Sequence, residues 1–202
     1  MLDGLGLPGC SFCRHATRRD HDAAWSFLYE GKHAPEVRRA VRAAGGFCAH
    51  HAELVLTIAL RDDLTAGLAE LYEHLIAGDL ARIGARPTTP PAPTARCYLC
   101  IGCTEAESRM ATFVADRLSA DADARAAYGR SAGFCLPHLR MVAARAEPAT
   151  ARALLADAAV RMRAVSLRLS EYRRKRDYRN AGEPKGDEQL AAIEATRRYS
   201  GD

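Results

Sequence analysis

The chain lacks the roughly 18 consecutive apolar residues of a membrane-spanning helix, so no membrane span is expected. It also lacks any sustained alternation of apolar and polar residues, which argues against half-buried strands. Aromatic residues are 6% of the whole, with a single tryptophan, and alanine supplies much of the apolar content. Alanine is the strongest helix former, so the composition points to an all-α fold. Residues 1–9 carry no basic segment followed by a long apolar one. A secretory signal is therefore not expected, and a cytoplasmic location with reduced cysteines is. Glycine-rich phosphate loops, a Ser-His-Asp set and carboxylate pairs at catalytic spacing are all missing, and no enzymatic activity is predicted. The formal charge of +4 is mild; it permits a nucleic-acid partner without arguing for one.

What the chain does have is a pattern of cysteine and histidine. Cys10, Cys13, Cys48 and His51 recur as Cys97, Cys100, Cys135 and His138, each 87 positions later, and Gly-Phe precedes both Cys48 and Cys135. An unchanged offset at four ligand-type residues marks an internal duplication. Three thiolates and one imidazole complete the tetrahedron of a structural Zn2+ site. In Cys-x2-Cys one tight turn presents two sulfurs. In Cys-x2-His the first turn of a helix presents the other pair, since residues three apart share a face. A helix N-terminus also favours thiolate over thiol. A disulfide framework would have no use for the repeated histidines. Two zinc ions are predicted, one held by Cys10, Cys13, Cys48 and His51, the other by Cys97, Cys100, Cys135 and His138.

Each quartet implies a helical hairpin. A helix over 13–30 carries the chain about 25 Å from Cys13, so a second helix over 35–44 has to return antiparallel for Cys48 to reach the same ion. A third helix opens at Cys48. A fourth, capped by Asp62 or Asp63, runs to 83 and buries Leu64, Leu68, Leu71, Leu75 and Ile83. The second half repeats the series with helices over 98–119, 121–132, 135–147 and 148–180. Along the last of these Leu154, Ala158, Met162, Val165, Leu169 and Tyr172 form a narrow seam, expected to pack on the fourth helix of the first half. Asp187 is a candidate cap for a short terminal helix to 199. The expected organisation is thus two tandem zinc-stapled repeats packed together, over 1–84 and 97–181. A proline-rich linker over 85–96 joins them, and a loop and terminal helix follow over 182–202.

Cys103 lies outside both quartets. With Cys97, Cys100 and Cys135 it offers four thiolates, the donor set of an iron–sulfur cluster, as an alternative to zinc at the second site. Its counterpart is Ala16, which favours zinc and a helix position for Cys103. His50 corresponds to Pro137, so His51 is the ligand of that pair; His15, His21, His33 and His74 have no repeated partner and are read as surface residues. Residues 161–179 are rich in arginine and lysine, a candidate nucleic-acid surface or simply cations placed where a helix dipole favours them.

The two Cys-x2-Cys and Gly-Phe-Cys-x2-His sets, the run Lys175-Arg176-Asp177-Tyr178-Arg179-Asn180 and a terminal helix ending at Gly201 resemble bacterial domain-of-unknown-function family six-zero-six-two over nearly the whole chain. The resemblance implies an all-helical bacterial protein with both metal quartets and implies no activity. The functional expectation is a structural zinc protein acting as a binding or adaptor module for a protein partner. The alternatives are a redox-responsive or iron–sulfur protein and a nucleic-acid-binding regulator.

Overall fold

In the computed structural model, residues 9–86, 92–180 and 182–201 are described. Among them are nine α-helices and no strand: α1 Ser11–Tyr29, α2 Pro35–Ala43, α3 Ala49–Arg61, α4 Thr65–Ala85, α5 Tyr98–Ala120, α6 Ala122–Arg130, α7 Leu136–Ala143, α8 Pro148–Lys175 and α9 Ala191–Ser200. The all-α expectation holds. α1, α2 and α3 begin at Ser11, Pro35 and Ala49, and α5, α6 and α7 each begin 87 residues further on.

Local chemistry sets most of these boundaries. Pro35 and Pro148 each stand in the first turn of a helix, where no intrahelical donor is lost. Asp121 caps α6, accepting from the backbone N–H of Asp123 and Ala124. Two expected caps differ. Asp62 instead pairs with Arg61, Asp63 takes φ 55°, and Leu64 occupies the cap position of α4. At the tail Gly186, not Asp187, precedes a 3-10 turn over Asp187–Leu190 that leads into α9. α8 stops at Lys175 rather than near 180, because Asn180 turns back to donate its side-chain amide to the Arg174 carbonyl.

The chain divides into two compact units, and the division differs from the expected one. One unit is Ala16–Ala106; the other is Met1–His15 together with Glu107–Asp202. The boundaries fall inside α1 and α5, not at the proline-rich segment. Residues 87–91 of that segment lie outside the described residues. Its described end belongs to the Ala16–Ala106 unit, where the Thr94 and Ala95 amides donate to the Ala43 carbonyl at the end of α2. Each unit has its own core. In Ala16–Ala106 it gathers Phe27, Leu28, Val41, Val55, Ile58 and Leu71. In the other it gathers Phe12, Val114, Leu118, Phe134, Val142 and Leu154.

The seam of α8 is also redirected. Leu154, Ala158 and Val165 are buried, but α8 packs on α7, α9 and the turn before α9, while α4 packs on α3. Residues 182–202 are accordingly part of the second unit and not an appendage. Glu188, 4% exposed, pairs with Lys175 at 3.2 Å and accepts from the Gly186 amide. Arg168 pairs with Glu194, and Arg198 reaches Glu194 and the Ala132 carbonyl. The basic run is largely consumed by such contacts: Arg161 pairs with Asp157, Arg174 with Glu171 and Glu183, and Arg179 with Asp177.

Candidate metal centres

All eight predicted ligand residues gather into two clusters, but not the two expected. Cys10 and Cys13 meet Cys135 and His138; Cys97 and Cys100 meet Cys48 and His51. Within each group the ligand atoms all lie within 4.8 Å of one another. Helix lengths explain the exchange. α1 has 19 residues and α2 only 9, so the return of about 13 Å covers less than half of the outward 28 Å. α5 and α6, with 23 and 9 residues, repeat the mismatch. The Cys-x2-His helix is therefore left partway along the outgoing helix. His51 comes to rest near Asp20, which lies seven residues beyond Cys13 on α1. Each quartet is completed by the Cys-x2-Cys turn of the other half. This also explains why the units cut α1 and α5: each site lies wholly within one unit.

Each quartet is built from two helix N-termini. Cys48 and Cys135 are cap residues with nearly identical backbones (φ −67°, ψ 163° and φ −66°, ψ 162°), followed three residues later by the histidine. Gly46 and Gly133 precede them at φ +102° and +80°, a left-handed conformation that turns the chain into the helix. Cys10 and Cys97 stand just before α1 and α5, accepting at their carbonyls from Arg14 and Ile101, and Cys13 and Cys100 follow in the first turn. Four cysteine-bearing helix starts thus direct their positive ends at two clusters, which favours thiolate there.

The distances fit a single ion in each. Cys13 and Cys135 sulfurs are 3.6 Å apart, and His138 Nδ1 is 3.0, 3.4 and 3.7 Å from the sulfurs of Cys135, Cys13 and Cys10. Cys48 and Cys100 sulfurs are 3.6 Å apart, and His51 Nδ1 is 3.3, 3.3 and 3.7 Å from those of Cys48, Cys100 and Cys97. Bonds of about 2.3 Å to sulfur and 2.0–2.1 Å to nitrogen at tetrahedral angles would give roughly 3.8 Å between sulfurs and 3.6 Å from sulfur to nitrogen. A disulfide, at about 2.0 Å, is far from any of these spacings.

Within each cluster the groups shift one another's proton affinity. Hydrogen bonds from Cys13 and Cys135 hold the Cys10 thiol well below its ordinary range, while those to Cys10 and Cys13 hold Cys135 far above it. Burial opposes protonation of His138, but its bonds to Cys10 and Cys13 outweigh it and carry it up to about 10. In the other cluster the His51 backbone amide lowers Cys48, whereas burial and Cys48 raise Cys100 to about 12. Burial lowers His51, opposed by Asp20.

The two clusters differ in cover. Cys10, Cys13, Cys135 and His138 are all buried, and a Cβ added to Gly201, at φ +91°, would lie 3.0 Å from the Cys13 sulfur. In the other, only His51 is fully buried, and Cys103 lies close by: its sulfur, an Asp20 oxygen and a His51 ring nitrogen fall within 4.8 Å of one another. The four-thiolate set of Cys97, Cys100, Cys103 and Cys135 does not form, because Cys135 belongs to the other cluster. His50 lies outside the quartets and pairs with Asp20 at 3.2 Å. His15, His33 and His74 are exposed, and half-buried His21 meets Arg61. Among the described residues no helix is long and apolar enough to cross a membrane.

Sequence reasoning placed Gly201 only at the end of the terminal helix and not beside Cys13, and it missed the acids beside the histidines. Glu107 Oε1 lies 3.8 Å from His138 Nε2. Asp20 and Glu107 are themselves 87 positions apart, so the offset that revealed the candidate ligands also marks these carboxylates. No protein-family model, curated protein or solved structure matches the chain.

Proposed function

We propose that the protein is a structural zinc protein, an internally duplicated helical module with one Zn2+ in each quartet, serving as a binding or adaptor surface for another protein. The observation that carries this reading is the closure of three sulfurs and one Nδ1 around a single point, twice, at tetrahedral spacings. Four protein ligands leave no position for substrate or activated water, which suits a structural ion. The adaptor role draws on α4. Beyond Leu75, its last buried residue, Ile76, Leu80 and Ile83 stand exposed at spacings that share one helix face. A nucleic-acid role fits less well, since Arg161, Arg168, Arg174, Lys175 and Arg179 already pair with carboxylates. Metal analysis of protein purified without added metal is expected to find two zinc ions per chain. Metal content near zero in a folded protein with free thiols would refute the proposal.

A second reading, redox response, is favoured by Cys103 beside the more exposed quartet. Hydrogen peroxide would oxidise the Cys100 thiolate to sulfenic acid, releasing hydroxide. The Cys103 thiol, one helical turn away, would then condense with it to a disulfide, releasing water and the ion. Cys103→Ser is expected to retain two ions, whereas His138→Ala retains one. Under peroxide, wild type should lose one ion several-fold faster than the other, and Cys103→Ser should slow that faster loss. Equal loss from both sites, or no effect of Cys103→Ser, rules the redox reading out.

A further inference from the structure

We propose that Asp20 and Glu107 are matched positioning residues, each holding the Nε2–H of one ligand histidine and so setting that site's affinity for Zn2+. The inference rests on the zinc reading and concerns residues outside both quartets. In each histidine Nδ1 faces the sulfurs, so Nε2 points away from them. His51 Nε2 is buried and has no hydrogen-bond partner, although the residue is only 3% exposed. A buried imidazole N–H left unmet is costly, and Asp20 is the carboxylate at hand. In the structure Asp20 pairs with His50 Nε2 at 3.2 Å. On the other side His138 Nε2 and Glu107 Oε1 are 3.8 Å apart. That is longer than a hydrogen bond, and the pairing requires the glutamate side chain to turn toward the ring.

Two further observations support the pairing. Asp20 follows Cys13 by seven residues and Glu107 follows Cys100 by seven, the places on α1 and α5 where the Cys-x2-His helices come to rest. Both side chains are also half-buried, at 22% and 31% exposure. Zn2+ with three thiolates carries net negative charge, so a carboxylate held this close is repelled unless a donor lies between. A protonated Nε2 is that donor. A carboxylate there fixes the ring orientation and raises the basicity of Nδ1, and loss of such a partner typically costs 10–100-fold in metal affinity.

The test is competition for Zn2+ against a chromophoric chelator, with the two binding steps assigned by Cys10→Ser and Cys97→Ser. Glu107→Ala is expected to weaken the step lost in Cys10→Ser by about 10–100-fold and to leave the other within about twofold. Asp20→Ala should do the converse, and Glu107→Asp should recover most of the loss. In zinc-loaded wild type each Nε2–H should give a slowly exchanging proton resonance; Glu107→Ala should shift and broaden that of His138. A purely structural role would lower the melting point of the metal-free protein and leave these resonances in place. Unchanged affinity in both alanine variants, or equal weakening of both steps by either, overturns the inference. Failure of wild type to bind zinc would instead overturn the metal reading on which it rests.

Discussion

If each quartet holds a zinc ion, chelation is expected to lower the melting temperature by tens of degrees. Structural zinc contributes about 10–16 kcal/mol of apparent binding free energy in small domains at neutral pH. The whole stability of an ordinary domain is only about 5–15 kcal/mol. Cys10, Cys13 and Cys135 are members of the main core of their unit, among Phe12, Phe134 and Leu139. Removal of an ion there would leave three cysteines and a histidine facing one another inside an apolar core. The other quartet sits at the edge of its core, with Cys97 only partly buried against it. Circular dichroism during heating, with and without chelator, measures the loss, and added Zn2+ should restore the transition. Low pH should mimic the chelator, because protons compete with the metal for the thiolates. A melting curve unchanged in protein shown to be metal-free would mean that the helices hold without the ions.

The eight clustered cysteines and histidines were legible because their chemistry is rare and their offset constant. Their pairing was not, because an offset says which residues correspond and not which ones meet. The missing information was nonetheless present as helix length. Pro35 opens α2 and Gly45-Gly46 closes it, which leaves nine residues to return along a helix twice as long. A hairpin of such unequal arms cannot bring Cys48 back to Cys13. The same error placed the unit boundary at the prolines of 85–96, since two self-contained repeats need a linker and two exchanged ones do not. The redirected seam of α8 has a different origin. Leu154, Ala158 and Val165 have the spacing of a helix-packing face, but spacing alone does not name the partner. The pairs Lys175–Glu188 and Arg168–Glu194 bring the terminal segment onto α8. Neither pair stands out in a sequence in which charged residues are 27%.

Metal counts in double variants should distinguish the exchanged pairing from the sequential one without any structural measurement. Cys13→Ser with Cys135→Ser removes two ligands of one site and none of the other, so the protein is expected to retain one zinc ion. Cys13→Ser with Cys48→Ser removes one ligand from each site and is expected to leave none tightly bound. Sequential pairing reverses both outcomes, since Cys13 and Cys48 would then share an ion and Cys13 and Cys135 would not. Loss of one thiolate from a four-ligand site opens the tetrahedron and replaces a charged donor with a weak one, so each affected site should release its ion to a modest chelator. Hydrogen exchange supplies an independent check. Cys13→Ser should expose amides at the start of α1, along α7 and at the end of α9, where Gly201 rests against the Cys13 sulfur. α2, α3 and α4 belong to the Ala16–Ala106 unit and should stay protected. A Cys13→Ser protein that loses protection first in α3 would restore the sequential hairpin and refute the exchange.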